Sequence, residues 1–153
     1  FEYELTTPMK AMGSLGLVFG TAGILSLDYE YVDYTAMRLR SSTYSFSEEN
    51  KVIEESFTAQ HVLRLGGEIN LNPVLLRAGY GFYSSPYASG VNDGSQSILS
   101  AGIGLRDRNF FVDLGYSLNL SEEDYYLYNA QLTQPVQKEM SMNQFVLTLG
   151  LRF

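Results

Sequence analysis

The sequence predicts an all-β fold, and within that class a transmembrane antiparallel β-barrel. Three observations lead to this prediction. Long segments alternate between apolar and polar residues, charged residues occupy the polar positions of most segments, and the connections between segments alternate between short and long. A soluble sandwich has no reason to place all its long loops at one end. We therefore expect the apolar face to contact lipid and the polar face to line a lumen.

The composition of the 153-residue chain excludes several functions. There is no cysteine, which rules out disulfides, cysteine zinc sites and thiol nucleophiles, and there is one histidine. The net charge of −7 argues against nucleic acid as a partner, because phosphate binding needs a basic surface. The uncharged segment 11–27 approaches the length of a spanning helix, but its glycines disfavour a helix and we interpret its central "GTAG" as a turn.

Alternation with a period of two divides the chain into seven strands, at approximately 8–20, 23–41, 57–70, 74–85, 97–106, 109–120 and 141–153. Each strand has one nearly pure apolar face, and its length suits a tilted crossing of the hydrocarbon layer. In chain order these faces consist of Leu15, Leu17 and Phe19; Leu25, Leu27, Tyr29 and Tyr31; Leu63, Leu65 and Ile69; Leu76, Ala78, Tyr80 and Phe82; Leu99, Ala101, Ile103 and Leu105; Phe110, Val112, Leu114, Tyr116 and Leu118; and Phe145, Leu147, Leu149, Leu151 and Phe153.

The predicted connections are short at 21–23, 71–73 and 107–108, and long at 41–56, 85–96 and 121–140. Outer-membrane barrels have short periplasmic turns and long outer loops, so we expect a bacterial outer-membrane location with a periplasmic C-terminus. Two aromatic girdles then result. They consist of Phe19, Phe110 and Phe153 at the periplasmic interface, and of Tyr31, Tyr80, Phe82, Tyr116 and Phe145 toward the outer interface.

Seven strands do not make a complete bacterial barrel, since single-chain barrels of this kind have an even number. The opening segment "FEYELTTP" shares the parity of the first strand and is interpreted as its upper continuation, not as an eighth strand. An open sheet would leave backbone groups unpaired at two edges, which is costly in lipid. We therefore expect the edges to pair with further strands upstream or with a second copy of the chain, in preference to each other.

Several stretches carry a family resemblance: "LTTPMKAMGSLGLVFG" with the following "GILSLDYEYVDYTAMRLR", then "LLRAGYGFYSSPY", and finally "QFVLTLGLRF". They resemble the C-terminal half of the FadL/TodX family of outer-membrane transporters for hydrophobic compounds, including a branch often labelled hemin receptors. Met9 departs from the pattern, where a tryptophan is expected. The resemblance implies that residues 1–153 are half of a fourteen-stranded barrel, without its N-terminal strands and plug. It also implies that Phe153 is a signal read by the outer-membrane insertion machinery.

Charged residues on the predicted polar face are the one group of candidate residues that suggests a mechanism. They project from six adjacent strands, and unpaired charges would be costly away from water. Two interpretations stay open: a salt-bridge lattice in a water-filled or plugged barrel, or arginines that meet the carboxylate end of an amphipathic substrate. The residues are Asp28, Glu30, Arg64, Glu68, Arg77, Arg106, Asp113 and Arg152.

Other candidate sites have weaker support. His61 falls on the apolar parity near an outer strand end, whereas Ser14 and Ser100 fall on the polar parity, so no serine–histidine pair for lipid hydrolysis is expected. The segment "VNDGS" at 91–95 is interpreted as a turn, with calcium binding as the alternative. Two acidic clusters are interpreted as solvated loop faces, with divalent-cation bridges to lipopolysaccharide as the alternative; they comprise Glu48, Glu49, Glu54 and Glu55, and Glu122, Glu123 and Asp124.

The function expected from these observations and the resemblance is transport of hydrophobic or amphipathic small molecules across an outer membrane, with no covalent chemistry and no cofactor or metal. The expected partners are membrane lipids, lipopolysaccharide, a hydrophobic ligand and the insertion machinery. The alternative is a structural or secretion-accessory barrel that binds a protein through its outer loops, to which the tyrosine-rich "EEDYYLYNAQL" is suited. With one imidazole in the chain, heme has little support as the ligand.

Overall fold

The computed structural model describes residues 2–88, 92–125 and 136–151. Its elements are β1 (Glu4–Thr6), β2 (Met9–Val18), β3 (Gly23–Asp33), a 3-10 turn (Tyr34–Ala36), β4 (Arg38–Arg40), α1 (Ser47–Ser56), β5 (Ala59–Leu71), β6 (Val74–Tyr83), β7 (Gln96–Arg106), β8 (Phe110–Tyr125) and β9 (Val136–Leu151). None of the helices in these ranges has both the length and the apolar character needed to cross a membrane.

The seven long strands form one antiparallel sheet in the order β2-β3-β5-β6-β7-β8-β9, so each strand pairs with the next one along the chain. This confirms the prediction of a mostly β protein with seven antiparallel strands. The sheet is open: β2 and β9 are its two edges, and they do not pair with each other in the described residues. Closure into a barrel is therefore not part of the observed fold.

The register places the predicted apolar residues together on one face of the sheet. One row of directly opposed residues runs from Leu15 through Leu27, Leu65, Tyr80 and Leu99 to Leu118 across six strands. Because register errors of one residue would move a strand's apolar set to the other face, this agreement fixes the face of every long strand. Most of these side chains are exposed; Leu65, for example, is 43% exposed.

Buried apolar side chains are few in the described ranges, and they lie on the other face. They are Val32, Val62 and Leu75, which share the parity of the charged residues. A soluble sheet packs its apolar face into a core and exposes its polar face. In this sheet the apolar face is exposed, and the few buried apolar side chains lie on the polar face.

Several predicted boundaries are wrong. The predicted strand 23–41 ends at Asp33, whose carboxylate accepts hydrogen bonds from the Thr35 amide (3.1 Å) and hydroxyl (2.6 Å) and so starts the 3-10 turn. The chain then continues as β4, which pairs with β1 in a separate two-stranded sheet. Residues 4–6 of the segment "FEYELTTP" thus extend the first hairpin, but as a separate strand in a separate sheet, so the prediction of an unbroken first strand is wrong.

The predicted long loop 41–56 contains the helix α1. Glu48 and Glu49 lie in its first turn, where negative charge is favourable because the amide groups there lack partners. Asn50 fixes the helix to β4: its side-chain oxygen accepts from the Leu39 amide (2.7 Å) and its side-chain nitrogen donates to the Leu39 carbonyl (2.9 Å).

The predicted loop 121–140 is also shorter than expected, because β8 runs to Tyr125 and β9 starts at Val136. In these strand ends polar residues such as Glu122 and Glu139 occupy the apolar parity, whereas the apolar Val136 and Met140 share the parity of the polar face, so the predicted alternation is not kept. Lys138 pairs with Glu123 across the two strands at 3.9 Å. Residues 126–135 lie outside the described residues.

Glycine is required at position 23, where the short turn leads into β3. A methyl group there would overlap the backbone carbonyl oxygen of Glu68 on β5, which cannot move independently of the sheet. We expect Gly23→Ala to lower the free energy of unfolding by about 1–2 kcal/mol. Denaturant titration measures this, with Gly13→Ala as the control because no atom lies within 4 Å of a methyl group at that position. Equal stability of the two variants would contradict the close approach of β3 and β5 at this turn.

Candidate functional site

The polar face of the sheet surrounds a cavity of about 660 Å³. Residues from β3 and from β5 to β9 line it together, which requires the sheet to be concave on this side. Its floor consists of small residues in adjacent strands: Gly66, Gly79, Ser100, Gly102 and Gly115. Small side chains leave this part of the face open, while larger charged side chains stand on either side of it along the strands.

One group of charged residues, the long-loop cluster, lies toward the end of the sheet that carries the long connections. Glu30 accepts from Lys10 at 2.8 Å and from Arg64 at 3.3 Å. Arg64 also donates from Nε to the Tyr83 hydroxyl at 3.1 Å and lies over the Tyr83 ring, 5.3 Å from its centroid. Glu30 is 7% exposed, so these two cations offset the cost of its burial.

A second group, the short-turn cluster, lies toward the opposite end. Arg77 donates to Glu68 at 2.6 Å and to Asp113 at 2.7 Å, and Arg106 donates to the same Asp113 oxygen at 2.9 Å. The guanidinium of Arg106 also lies 5.0 Å from the centre of the Phe111 ring. This network joins side chains from β5 to β8 and contains two positive and two negative groups.

Asp28 lies between the two clusters and is half-buried. It is directly opposite Arg64 in the register, but Arg64 bonds to Glu30, two residues further along β3. Within the described residues Asp28 makes no ion pair or hydrogen bond in the structure. Among the described residues of the predicted set, Asp28 is therefore the one carboxylate without an ion-pair partner, since Glu30, Glu68 and Asp113 each have one.

The structure therefore brings six of the eight predicted residues into two ion-paired clusters and leaves Asp28 beside them. Arg152 lies outside the described residues, as does Phe153. The interpretation as a salt-bridge lattice agrees with this geometry, because each described arginine of the predicted set already donates to at least one carboxylate. Sequence reasoning missed Lys10 and Tyr83. Both share the parity of the polar face, and that signal could have found them.

Among the described residues no serine hydroxyl contacts the His61 imidazole, although the His61 backbone amide donates to the Ser84 hydroxyl at 2.9 Å. Ser14 and Ser100 lie on the polar face, whereas His61 lies on the apolar face, directly opposite Tyr31. His61 Nδ1 is 2.7 Å from the Tyr29 hydroxyl, and the Tyr31 ring packs edge-on at 5.5 Å. The register thus places His61 on the opposite face from Ser14 and Ser100, as their parity predicted.

Residues 92–95 are irregular in the structure and are held by side-chain hydrogen bonds. Asp93 accepts a hydrogen bond from the Ser95 amide at 2.8 Å, and Asn92 accepts one from the Asp124 amide at 2.8 Å. Val91 lies outside the described residues, and the described part of the chain holds no group of three or more residues arranged to bind a metal ion.

The acidic residues of the first long connection are partly paired. Glu54 lies 3.2 Å from Arg38, and Glu55 lies 3.8 Å from Lys51. Glu49 accepts a hydrogen bond from the Tyr44 hydroxyl at 2.8 Å, and this bond to a carboxylate raises the pKa of Tyr44. The contacts of Glu54 and Glu55 are exposed, agree with a solvated loop surface and contribute little to stability. Glu49 differs, because it is half-buried and its Oε2 is buried without a hydrogen-bond partner among the described residues.

Comparison with protein-family models, with curated proteins and with solved structures found no match for this chain.

Proposed function

We propose that this chain forms part of an outer-membrane β-barrel that passes hydrophobic or amphipathic small molecules, such as fatty-acid-like compounds, without covalent chemistry. In this proposal the apolar face contacts lipid and the polar face lines the lumen. The short turns and the end of β9 lie on the periplasmic side, and the long connections lie outside.

The exposure of the apolar face is the observation that carries the proposal. Leu147, Leu149 and Leu151 on β9 are 63%, 69% and 72% exposed, and similar residues lie on all the other long strands. A continuous apolar surface of this extent is unfavourable in water and is typical of a surface that contacts protein or lipid. The polar, concave opposite face favours lipid, since transmembrane barrels are apolar outside and polar inside.

The two open edges also support a larger assembly. Both β2 and β9 have one side without a neighbouring strand in the described residues. Unpaired backbone groups are not tolerated in contact with lipid. In the proposal these edges therefore pair with further strands, which belong to another segment or to a second copy of the chain, and the barrel closes around the concave polar face.

The arrangement of the polar face is suited to an amphipathic compound. The charges of the short-turn cluster cancel, and the long-loop cluster has two cations around one carboxylate, so neither cluster presents a large net charge to a passing molecule. The small residues between them leave room for a chain of methylene groups. The half-buried Asp28 is one of the polar side chains that line this region, together with Ser26, Ser100, Ser117, Gln144 and Thr148.

The test is uptake of a labelled long-chain fatty acid by Gram-negative cells that lack their own outer-membrane uptake of it. We expect the wild-type protein to restore uptake. Gly115→Trp places an indole in the cavity, where the nearest atom to a Cβ is 4.0 Å away, and should lower uptake several-fold. Leu114→Trp is the matched control, because the adjacent residue lies on the apolar face and is already 47% exposed.

Equal uptake by the two tryptophan variants would contradict passage along the polar face. A correctly inserted wild-type protein that restores no uptake would contradict transport of this compound class and would favour the structural or secretion-accessory barrel. In that case the long connections should capture a protein partner from the cell surface.

A further inference from the structure

Three tyrosines on the apolar face make the same contact with a neighbouring strand. The hydroxyl of Tyr29 lies 2.7 Å from His61 Nδ1, that of Tyr80 lies 3.5 Å from the Ser97 hydroxyl, and that of Tyr116 donates to Asn143 at 2.6 Å. In each pair the tyrosine reaches diagonally: the polar partner lies opposite the residue two positions closer to the long connections, namely Tyr31, Phe82 and Leu118.

The three polar partners follow a straight line across the sheet. We compare positions along the hydrogen-bonding direction, and "below" means closer to the short turns. Val62 is level with Gln96, so His61 lies one residue above this level and Ser97 one residue below it. Ser97 is level with Ser141, and Asn143 lies two residues below Ser141. His61, Ser97 and Asn143 are on β5, β7 and β9, so the line descends by one residue per strand. Tyr29, Tyr80 and Tyr116 on β3, β6 and β8 descend at the same rate.

This slope equals the strand tilt of a transmembrane barrel. A strand rises about 3.4 Å per residue and neighbouring strands are about 4.8 Å apart, so one residue per strand corresponds to a tilt of about 35°. Barrel strands are tilted by roughly 35–45° from the axis. In a barrel the three polar partners and the tyrosine hydroxyls that contact them therefore lie at one height above the membrane plane. We call these three pairs the tyrosine row.

Below the tyrosine row, toward the short turns, the apolar face carries residues such as Leu65, Leu99, Ile103 and Leu147. Above it on β9, the same face carries Ser141 and Glu139. On β9 the tyrosine row thus marks the border between apolar and polar surface, whereas on β8 the exposed Leu120, opposite Ser141, extends the apolar surface one residue further. Tyrosine is suited to such a border because its ring is apolar and its hydroxyl is polar.

We infer that the tyrosine row lies at the headgroup level of the outer leaflet, and that His61 binds a lipid phosphate there through Nε2. The inference rests on the proposed membrane location. We assign the tautomer in which the Tyr29 hydroxyl donates to Nδ1, because this places the ring proton on the exposed Nε2. His61 is exposed, and Nε2 has no partner in the described residues, so this donor faces the headgroup layer.

The site is one anchor point and not a pocket. Tyr31 packs edge-on against the imidazole and Tyr29 holds Nδ1, so two neighbours limit the ring's rotation. Tyr29 therefore acts as a positioning residue for His61. The headgroup layer of a bilayer contains phosphate oxygens, which accept hydrogen bonds. A hydrogen bond to a charged acceptor is stronger than one to a neutral acceptor.

Solid-state NMR of protein labelled with nitrogen-15 in histidine tests the contact, because the chain has one histidine and the two ring signals are unambiguous. The protein is reconstituted in vesicles of phosphatidylethanolamine and phosphatidylglycerol, and phosphorus-31 dephasing is measured at both ring nitrogens. We expect strong dephasing at Nε2 and weaker dephasing at Nδ1. In Tyr29→Phe, which retains the ring but loses the hydroxyl, the dephasing at Nε2 should fall. Absence of dephasing at Nε2 in inserted wild-type protein would overturn the phosphate contact.

Spin-label depth measurements test the level itself. Because the chain lacks cysteine, Ser97→Cys, Asn143→Cys and Ser141→Cys can each carry a single label. We expect the labels at 97 and 143 to have equal depth and the label at 141 to be shallower. Equal depth of 97 and 141, which are directly opposite the same β8 residue, would overturn the tilt and the row.

The outcomes separate this inference from the proposed function. Protein that does not insert into vesicles would overturn both. Inserted protein that shows dephasing at Nε2 but supports no fatty-acid uptake would overturn transport alone. Inserted protein that supports uptake without dephasing would overturn the His61 contact alone.

Discussion

Leu149→Arg is expected to lower the free energy of unfolding in a bilayer by about 2–4 kcal/mol, the cost of placing arginine on the lipid-facing surface of a barrel near its midplane. Leu149 lies in β9 opposite Val112, well below the tyrosine row, and is 69% exposed on the apolar face. The guanidinium would lose its hydration without gaining a partner. Denaturant-driven unfolding of protein folded into vesicles gives the free energy.

The neighbouring position provides the control. Thr148 lies on the polar face and lines the cavity. Thr148→Arg introduces the same side chain where water and carboxylates are available, so its effect on the free energy of unfolding should be much smaller. If the two variants have equal stability in vesicles, the assignment of the apolar face to lipid is wrong.

Arg77→Leu is expected to lower the free energy of unfolding by about 2–3 kcal/mol. Arg77 donates two short hydrogen bonds, to Glu68 and to Asp113, and each bond to a charged group contributes about 1.5–3 kcal/mol when shielded from water. The arginine side chain is 38% exposed, so the sum is reduced by solvent screening. Denaturant titration at neutral pH measures the effect.

The double variant Arg77→Leu with Glu68→Leu separates the loss of the contact from the cost of an unpaired carboxylate. Asp113 keeps its bond to Arg106 at 2.9 Å, so the double variant leaves no unpaired charge in the short-turn cluster. We expect it to be more stable than the single variant, as is found when both members of an ion pair are replaced by apolar residues. A double variant less stable than the single one would show that Glu68 is stabilising without Arg77.

The faces of the strands were predictable from the sequence because a period of two assigns each residue to a side as soon as the strand is recognised. Leu65, Tyr80 and Leu99 were placed on one face by parity alone, and the register brings them into one row. The strand ends at 121–125 and 136–140 were not predictable in this way, because polar residues such as Glu122 and Glu139 occupy the apolar parity there, and the apolar Val136 and Met140 fall on the other parity.

The pairing of charges was not predictable from the sequence either. Arg64 is directly opposite Asp28, but its long side chain reaches Glu30 and the Tyr83 hydroxyl instead. Parity places charges on a face, whereas the direction of a flexible side chain depends on the other groups within its reach. Lys10 illustrates the same limit, since its contact with Glu30 completes the long-loop cluster from the edge strand.

The order of the strands has a consequence for how the sheet assembles. In the seven-stranded sheet every long strand pairs with the next long strand along the chain, so each pairing closes only one connection and its entropic cost does not grow with the part already formed. The short pair of β1 and β4 is the exception, because it encloses the hairpin of β2 and β3. The largest interval is the one between β3 and β5, and α1 and β4 occupy much of it. Contacts of low sequence separation favour rapid folding. The sheet can therefore grow one hairpin at a time from either end, each completed strand serving as the template for the next.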